Sequence, residues 1–194
     1  MHLCADGSFV IFHDDNLKRL AGVDVVVEKS SYEDLKTIVL KDTCDGAVRS
    51  DLTIPTLSEY IRICKKYGKK SVLEIKNHMQ KNDIRRIVDI IRELKYLDNT
   101  VFISFDFENL VSLREISSKL ALQYLVSKWD DKLTDKLKKH KMDIDIYHKE
   151  ITKERVRLLH KNDILVNAWT VDTKDDAKRL ISCGVDYITT NILE

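Results

Sequence analysis

Short apolar runs alternate with amphipathic segments from residue 71 onward. Val72, Leu73 and Ile75 form a β-prone run after the turn-like residues 67–70, which predicts a strand. The next segment spaces its apolar residues three or four positions apart, as an amphipathic helix does. The alternation continues and predicts six strands, at 71–76, 101–106, 120–126, 143–148, 165–171 and 186–190. Strands joined by helices are typical of a parallel sheet.

The part of the chain before residue 71 has a less regular pattern. Asp6-Gly7 is a turn signal between two strand-like arms, so it predicts a β-hairpin. Thr56 and Glu59 have the spacing of a capping box and predict the start of a helix. Residues 16–55 show no sustained period, and we interpret them as an irregular insertion in a single domain of residues 1–194.

Polar or amphipathic residues stand at the carboxyl ends of several predicted strands. They are Glu74, Lys76, Ser104, Asp106, Tyr147, His148, Trp169 and Thr170. In a parallel barrel these ends meet at one face, which is where ligands bind. The chain has five glycines and no G-x-G-x-x-G after a strand, which disfavours a dinucleotide-binding fold. The pattern therefore favours an α/β barrel of the TIM type.

Glu74 and Lys76 are the most informative of these residues. Alternate side chains of a strand point to opposite faces, so both share a face with Val72. A buried carboxylate needs a cation, which here is either a lysine or a metal. From this stretch alone, a structural ion pair and a functional site are equally well supported.

Charge and cysteine usage exclude several classes of protein. Lys and Arg number 33 against 32 Asp and Glu, so the net charge of +1 gives no electrostatic argument for nucleic acid or an anionic membrane. The chain shows neither a signal peptide nor a run of about 18 apolar residues, which predicts a cytoplasmic protein without a membrane span. Cysteines 4, 44, 64 and 183 lack C-x-x-C spacing, as expected for reduced thiols.

Several motifs, taken in order, resemble those of the glycerophosphodiester phosphodiesterases, a branch of the phospholipase C-like phosphodiesterase barrels. The similarity covers nearly the whole chain. The motifs are Ala5-Asp6-Gly7, Val10-Ile11-Phe12-His13-Asp14, Ile54-Pro55-Thr56-Leu57, Leu73-Glu74-Ile75-Lys76, Ser104-Phe105-Asp106, Val166-Asn167-Ala168-Trp169-Thr170-Val171 and residues 184–190.

The resemblance implies that a small-molecule glycerophosphodiester is hydrolysed to glycerol 3-phosphate and an alcohol. His13 matches a catalytic general acid or base. Glu74 matches a ligand of a divalent metal, Ca²⁺ or Mg²⁺, and Lys76 matches a phosphate-binding lysine. Trp169 matches an aromatic residue at the glycerol end of the substrate. Four of these residues, His13, Glu74, Lys76 and Trp169, are thus expected to line one site.

Two further residues and two missing motifs complete the comparison with the family. Ser104 and His148 match substrate-binding positions, although serine is common at strand ends and His148 falls in a variable strand. Family members begin with a strand ending in His-Arg and a second strand carrying Glu-x-Asp, and neither has a counterpart here. We therefore expect a barrel that is incomplete at its amino end, with the first strand and most of the second missing.

Three consequences follow from the missing motifs. A single glutamate holds Ca²⁺ or Mg²⁺ poorly, so metal binding is doubtful and the shortened chain is expected to be a weak or inactive enzyme. An open barrel edge is expected to allow self-association. Two alternatives remain open: a non-catalytic relative that binds glycerophosphate or phosphate, and an unrelated βα protein with a structural Glu74–Lys76 pair.

Overall fold

The computed structural model describes residues 1–43 and 46–193. The chain divides into two compact units, residues 1–100 and residues 101–194. The prediction of a single domain with an insertion at about 16–55 stays a prediction. Cys4, Cys64 and Cys183 are free thiols, whereas Cys44 lies outside the described residues.

The first unit combines short strands with helices of increasing length. β1 and β2 pair antiparallel, with His2 opposite Val10, so the predicted hairpin is confirmed. Gly7 lies in its turn with a φ of 82°, a left-handed conformation that glycine adopts without steric cost. The elements are β1 (His2–Leu3), β2 (Phe9–Val10), α1 (Lys18–Ala21), α2 (Tyr32–Leu35), α3 (Leu57–Lys66), β3 (Ser71–Glu74) and α4 (Lys81–Glu93).

The irregular segment of this unit has an apolar core. Leu17, Val27, Leu35 and Ile54 are fully buried and form one cluster with Val10 of β2. The β-branched run from residue 23 to residue 27 forms no strand, and a 3₁₀ helix, Val27–Lys29, begins at its end. Burial at widely spaced positions, rather than a regular period, therefore holds this segment in place.

Helix α3 begins at the predicted capping box. The Thr56 hydroxyl accepts a hydrogen bond from the Glu59 backbone N–H at 3.2 Å, and Glu59 Oε2 accepts one from the Thr56 backbone N–H at 2.8 Å. Both bonds satisfy N–H groups that the first turn of a helix leaves unpaired. The helix then buries Leu57, Ile61 and Cys64 on one face.

We expect Thr56→Ala to lower the free energy of unfolding by about 1 kcal/mol, because it removes the N-cap acceptor of α3. Urea unfolding of the variant and the parent measures this difference. Ser58→Ala is the control, since it removes a hydroxyl from the same helix away from the N-cap position. Equal losses in the two variants would contradict the capping role.

The second unit contains five strands that are neighbours in sequence order. β4 pairs with β5, β5 with β6, β6 with β7 and β7 with β8, always in parallel, so the α/β class is confirmed. The elements are β4 (Thr100–Ser104), α5 (Phe107–Ile116), β5 (Ala121–Val126), α6 (Leu133–His140), β6 (Asp143–Tyr147), α7 (Lys153–His160), β7 (Val166–Trp169), α8 (Lys174–Cys183) and β8 (Tyr187–Ile188).

Strands β4 to β7 of the second unit are buried along most of their length. In β6, Ile144, Asp145 and Ile146 are all buried, which is typical of parallel strands covered on both faces. The parallel arrangement places the carboxyl ends of β4 to β8 at one edge of the sheet. Within the described ranges, no helix is both long and apolar enough to cross a membrane.

Candidate active site

Glu74 and Lys76 form an ion pair at the carboxyl end of β3. β3 ends at Glu74, and Lys76 lies two residues beyond it. The Lys76 Nζ is 2.7 Å from Glu74 Oε2, and the two side chains are only 16% and 19% exposed. Leu73 and Ile75 are buried on the other face, whereas Val72 is exposed. The charge of Glu74 is therefore compensated by a lysine of the same chain.

His13 is held by a carboxylate that is itself held by an arginine. The His13 Nδ1 lies 2.7 Å from Asp14 Oδ1, and Arg19 donates from Nε to Asp14 Oδ2 at 2.7 Å. The hydrogen bonds from Arg19, reinforced by that from His13, lower the pKa of Asp14 to about 2. An ionised carboxylate only accepts, so the His13 proton lies on Nδ1 and Nε2 is left as the basic nitrogen. The side chain of His13 is 75% exposed, so Nε2 is accessible.

The depressed pKa of Asp14 makes its contribution to stability depend on pH. Because the folded-state pKa is lowered, the contribution is present above about pH 4 and is lost as the pH falls towards 2. We expect Asp14→Asn to lower the free energy of unfolding by about 1 kcal/mol at neutral pH, a modest loss because solvent screens the partly exposed pair with Arg19. Near pH 2 the substitution should have little effect on the free energy of unfolding. Urea unfolding at several pH values tests this; Asp51→Asn, in the more exposed Arg49 pair, is the control.

A polar network joins the loop that carries His13 to the loop that carries Lys76. Asn77, next to Lys76, donates from Nδ2 to Glu28 Oε1 at 2.9 Å and lies 3.4 Å from Asp15 Oδ1. The same Glu28 oxygen lies 3.1 Å from Nδ1 of the fully buried His2. Burial lowers the pKa of His2, which keeps this imidazole neutral at neutral pH. The network thus brings the two predicted site loops of this unit together.

The donor groups described here do not fit a divalent cation. Ca²⁺ and Mg²⁺ are held by several oxygen ligands. Within residues 1–43 and 46–193, no group of three or more His, Cys, Asp or Glu side chains is arranged to hold a metal. Glu74, the predicted ligand, contacts Lys76 instead. The chemistry of this unit must therefore be derived from its own side chains.

In the second unit, aromatic side chains gather at the carboxyl edge of the sheet. Trp169, the last residue of β7, lies 5.6 Å from Phe105 and 5.5 Å from Tyr147 between ring centres. Its indole Nε1 donates to the Asp145 carbonyl at 3.1 Å, which fixes the ring orientation. The result is a partly exposed aromatic group that offers an apolar face with its polar atom already bonded.

Ser104 and His148 lie at the same edge but are enclosed. The fully buried Ser104 Oγ accepts hydrogen bonds from the Asp106 backbone N–H at 3.1 Å and from Asn109 Nδ2 at 3.3 Å. His148 begins a 3₁₀ helix directly after β6, and its carbonyl accepts a hydrogen bond from Arg179 at 3.0 Å. Both residues have clear roles in shaping the turns that follow their strands.

The predicted site residues are divided between the two units. His13, Glu74 and Lys76 belong to residues 1–100, and Trp169, Ser104 and His148 belong to residues 101–194. The expectation that His13, Glu74, Lys76 and Trp169 line one site stays a prediction. Sequence reasoning did not identify Arg19, His2, Glu28 or Asn77. Asn77 had a local signal, its place next to Lys76, and Arg19 lies five residues from Asp14, whereas the contact of His2 with Glu28 spans 26 residues.

Comparison with known proteins decides the family. Residues 1–194 match the model of the glycerophosphoryl diester phosphodiesterase family. The chain belongs to this family. The resemblance drawn from the motifs is therefore confirmed, and hydrolysis of glycerophosphodiesters is the activity associated with the phosphodiesterases that it matches.

Individual phosphodiesterases of the family are distant relatives in sequence but near ones in fold. A glycerophosphodiester phosphodiesterase of Caldanaerobacter subterraneus is 25% identical over 98% of this chain and 79% of its own length. A glycerophosphodiester phosphodiesterase structure from Parabacteroides distasonis superimposes with a TM-score of 0.81 at 23% identity, covering 97% of this chain and 76% of that one. These relatives confirm the TIM-barrel-type fold.

One family structure contains a small molecule. An Oleispira antarctica phosphodiesterase, solved in complex with its product sn-glycerol-3-phosphate, superimposes with a TM-score of 0.84 at 25% identity. The match covers 97% of this chain and 77% of that structure. This product is a phosphate monoester of a small polyol, so the site of that phosphodiesterase accommodates both an anion and an uncharged hydroxylated group.

Proposed function

We propose that this chain binds a glycerophosphodiester and hydrolyses it slowly to glycerol 3-phosphate and an alcohol. The observation that carries the proposal is the Asn77 amide, which connects the loop of His13 to the loop of Lys76. A phosphate-binding cation and a histidine with an accessible basic nitrogen are thereby kept on adjoining loops of one unit. Membership of the phosphodiesterase family supports the choice of substrate.

Lys76 is assigned to the phosphate of the substrate. A lysine ammonium next to a phosphoryl oxygen stabilises the negative charge that develops during displacement at phosphorus. The ion pair with Glu74 holds Lys76 in position, since both side chains are mostly shielded from solvent. Glu74 then serves chiefly to orient Lys76. When a phosphate binds, the Lys76 ammonium donates hydrogen bonds both to Glu74 and to a phosphate oxygen.

His13 is assigned to proton transfer. Asp14 accepts from Nδ1 and thereby directs Nε2 away from the protein. In the hydrolysis a water oxygen forms a bond to phosphorus, the bond from phosphorus to the alcohol oxygen breaks, and the alcohol leaves with a proton. His13 either accepts the proton of the water or donates the one that the alcohol takes up.

From the second unit, Trp169 is assigned to the glycerol group, because its indole face suits the carbon skeleton of a polyol. Ser104 and His148 are assigned to the support of this edge, since their polar atoms already bond neighbouring turns. Direct substrate contact by the Ser104 hydroxyl would require its bonds to rearrange.

Slow turnover follows from the groups available in the first unit. His13 is the histidine of this unit that the motifs assign to proton transfer, whereas His2, which bonds Glu28, is fully buried. A missing general acid or base costs a factor of roughly 10²–10⁴ in rate. Glu74 is neutralised by Lys76, so added Ca²⁺ or Mg²⁺ is expected to have a small effect.

We expect the purified 194-residue chain to hydrolyse glycerophosphocholine at less than about 1 per second, with or without Ca²⁺ or Mg²⁺. The release of glycerol 3-phosphate over long incubations measures the rate, and EDTA provides the metal-free control. Turnover at about 1–10³ per second that EDTA abolishes would show that a metal and further catalytic groups operate in this chain.

A second candidate function is binding of glycerophosphate without turnover. The ion pair of Glu74 with Lys76 favours it, because Glu74 orients the ammonium, whose remaining N–H groups can donate to an anion, while the carboxylate is held by the lysine and not by a metal. Affinity for glycerol 3-phosphate combined with no detectable product release would select this function over hydrolysis. We also propose self-association through the exposed backbone of a sheet edge, and the molar mass in solution at several concentrations tests it.

A further inference from the structure

The second unit contains a cavity of about 460 Å³ beyond the carboxyl ends of β4 and β5. It lies in the loop between β5 and α6 and the first turn of α6. We call it the lysine cavity, because cationic and aromatic side chains dominate its wall. The cationic and aromatic residues of this wall are Phe105, Tyr124, Lys128, Trp129, Lys132 and Lys136.

The charged groups of the lysine cavity favour an anion. Three lysines line it against one carboxylate, that of Asp130. Asp130 Oδ1 already accepts a hydrogen bond from the Lys132 backbone N–H at 2.8 Å. The Lys136 ammonium lies 3.6 Å from the ring centre of Phe107 and 4.8 Å from that of Tyr124, so a cation–π contact fixes its position.

The start of α6 adds to this positive potential. Lys132 is the N-cap residue of the helix, and none of the described side chains caps it. A helix N-terminus carries a partial positive charge, so lysines are unfavourable there unless an anion is bound nearby. Asp135 in the first turn offsets part of this charge, but it does not line the cavity.

The lysine cavity adjoins the aromatic edge of the same unit. Phe105 lines the cavity and also packs edge-on against Trp169 at 5.6 Å. Phe105 is therefore shared by the aromatic edge and the lysine cavity. In a glycerophosphodiester the glycerol is constant and the alcohol varies, so an additional group that reaches the cavity belongs to the alcohol.

We propose that the lysine cavity binds a second anionic group of the substrate, a phosphate or carboxylate carried by its alcohol. The proposal rests on the proposed function. It narrows the substrate class to glycerophosphodiesters with a negatively charged alcohol. An ammonium-bearing alcohol such as choline meets three like charges in the cavity and is disfavoured.

Calorimetric titration with three probes tests the proposal. The probes are sn-glycerol 3-phosphate, glycerophosphoinositol and glycerophosphoinositol 4-phosphate, which differ in the second anionic group. We expect the 4-phosphate to bind about three- to tenfold more tightly than the ester without it. Lys128→Gln/Lys132→Gln should remove that difference and leave the affinity for glycerol 3-phosphate unchanged.

Lys139→Gln/Lys161→Gln is the matched control, since it removes two exposed lysines of the same unit that do not line the cavity. Equal affinity for the two esters, or a difference that survives in Lys128→Gln/Lys132→Gln, would overturn the inference. If none of the three probes binds, the proposed function fails, and titration with inositol 4-phosphate then tests anion binding by the lysine cavity separately. Binding to the parent that is lost in Lys128→Gln/Lys132→Gln supports the cavity as an anion site. No binding to the parent, or binding that the variant retains, refutes it.

Discussion

Replacing His13 with glutamine should lower the rate of glycerophosphodiester hydrolysis by about 10²–10⁴-fold. His13 is the exposed end of a chain of hydrogen bonds that runs from Arg19 through Asp14. Glutamine keeps a polar side chain of similar reach but cannot exchange a proton near neutral pH. Because turnover is already slow, the variant is expected to show no release of glycerol 3-phosphate above the uncatalysed background.

The matched control for His13→Gln is His160→Gln. His160 is another partly exposed histidine paired with an aspartate, with its Nε2 lying 2.8 Å from Asp186 Oδ2. It belongs to the second unit and is assigned no catalytic role. Equal rates in the parent and His13→Gln would remove His13 from the mechanism. A loss in His160→Gln as large as that in His13→Gln would indicate a general effect on folding.

Replacing Lys76 with methionine should raise the Kd for sn-glycerol 3-phosphate by about 10- to 100-fold. The estimate corresponds to one hydrogen bond with a charged group, which contributes about 1.5–3 kcal/mol. Methionine retains much of the aliphatic length of lysine and removes the ammonium group. Calorimetric titration of the purified variant measures the change.

Lys76→Met also leaves Glu74 without its cation, so unfolding must be monitored beside binding. The double variant Glu74→Gln/Lys76→Met removes both charges and keeps the test valid if the single variant is unstable. Lys70→Met, in the exposed turn before β3, is the control. An unchanged Kd in a folded Lys76 variant would place the phosphate elsewhere and leave the Glu74–Lys76 pair with a structural role alone.

The two units contribute different kinds of chemistry. Residues 1–100 hold the predicted site residues His13, Glu74 and Lys76, beside a polar network that contains Glu28 and Asn77. Residues 101–194 hold a largely aromatic edge at the carboxyl ends of parallel strands.

Local patterns in the sequence were sufficient for much of the fold. The capping box at Thr56, the αL glycine at Gly184 and the apolar face of α4 are set by interactions within one helix, so spacing alone predicts them. Parallel pairing followed from the βα alternation because such strands need a helical crossover.

The sequence predicts which residue types stand at the candidate site, but it does not predict which side chains they contact in the folded protein. Motifs were enough to predict roles for His13, Glu74 and Lys76, and these roles stay predictions. The sequence left open whether Glu74 pairs with a lysine or a metal, and the structure shows that it pairs with Lys76. The support of Asp14 by Arg19 and the network of His2, Glu28 and Asn77 emerged only from the tertiary structure. The network joins side chains that are far apart in sequence, so no local pattern predicts it, and folding decided which of these charges were already satisfied and which remained accessible to a substrate.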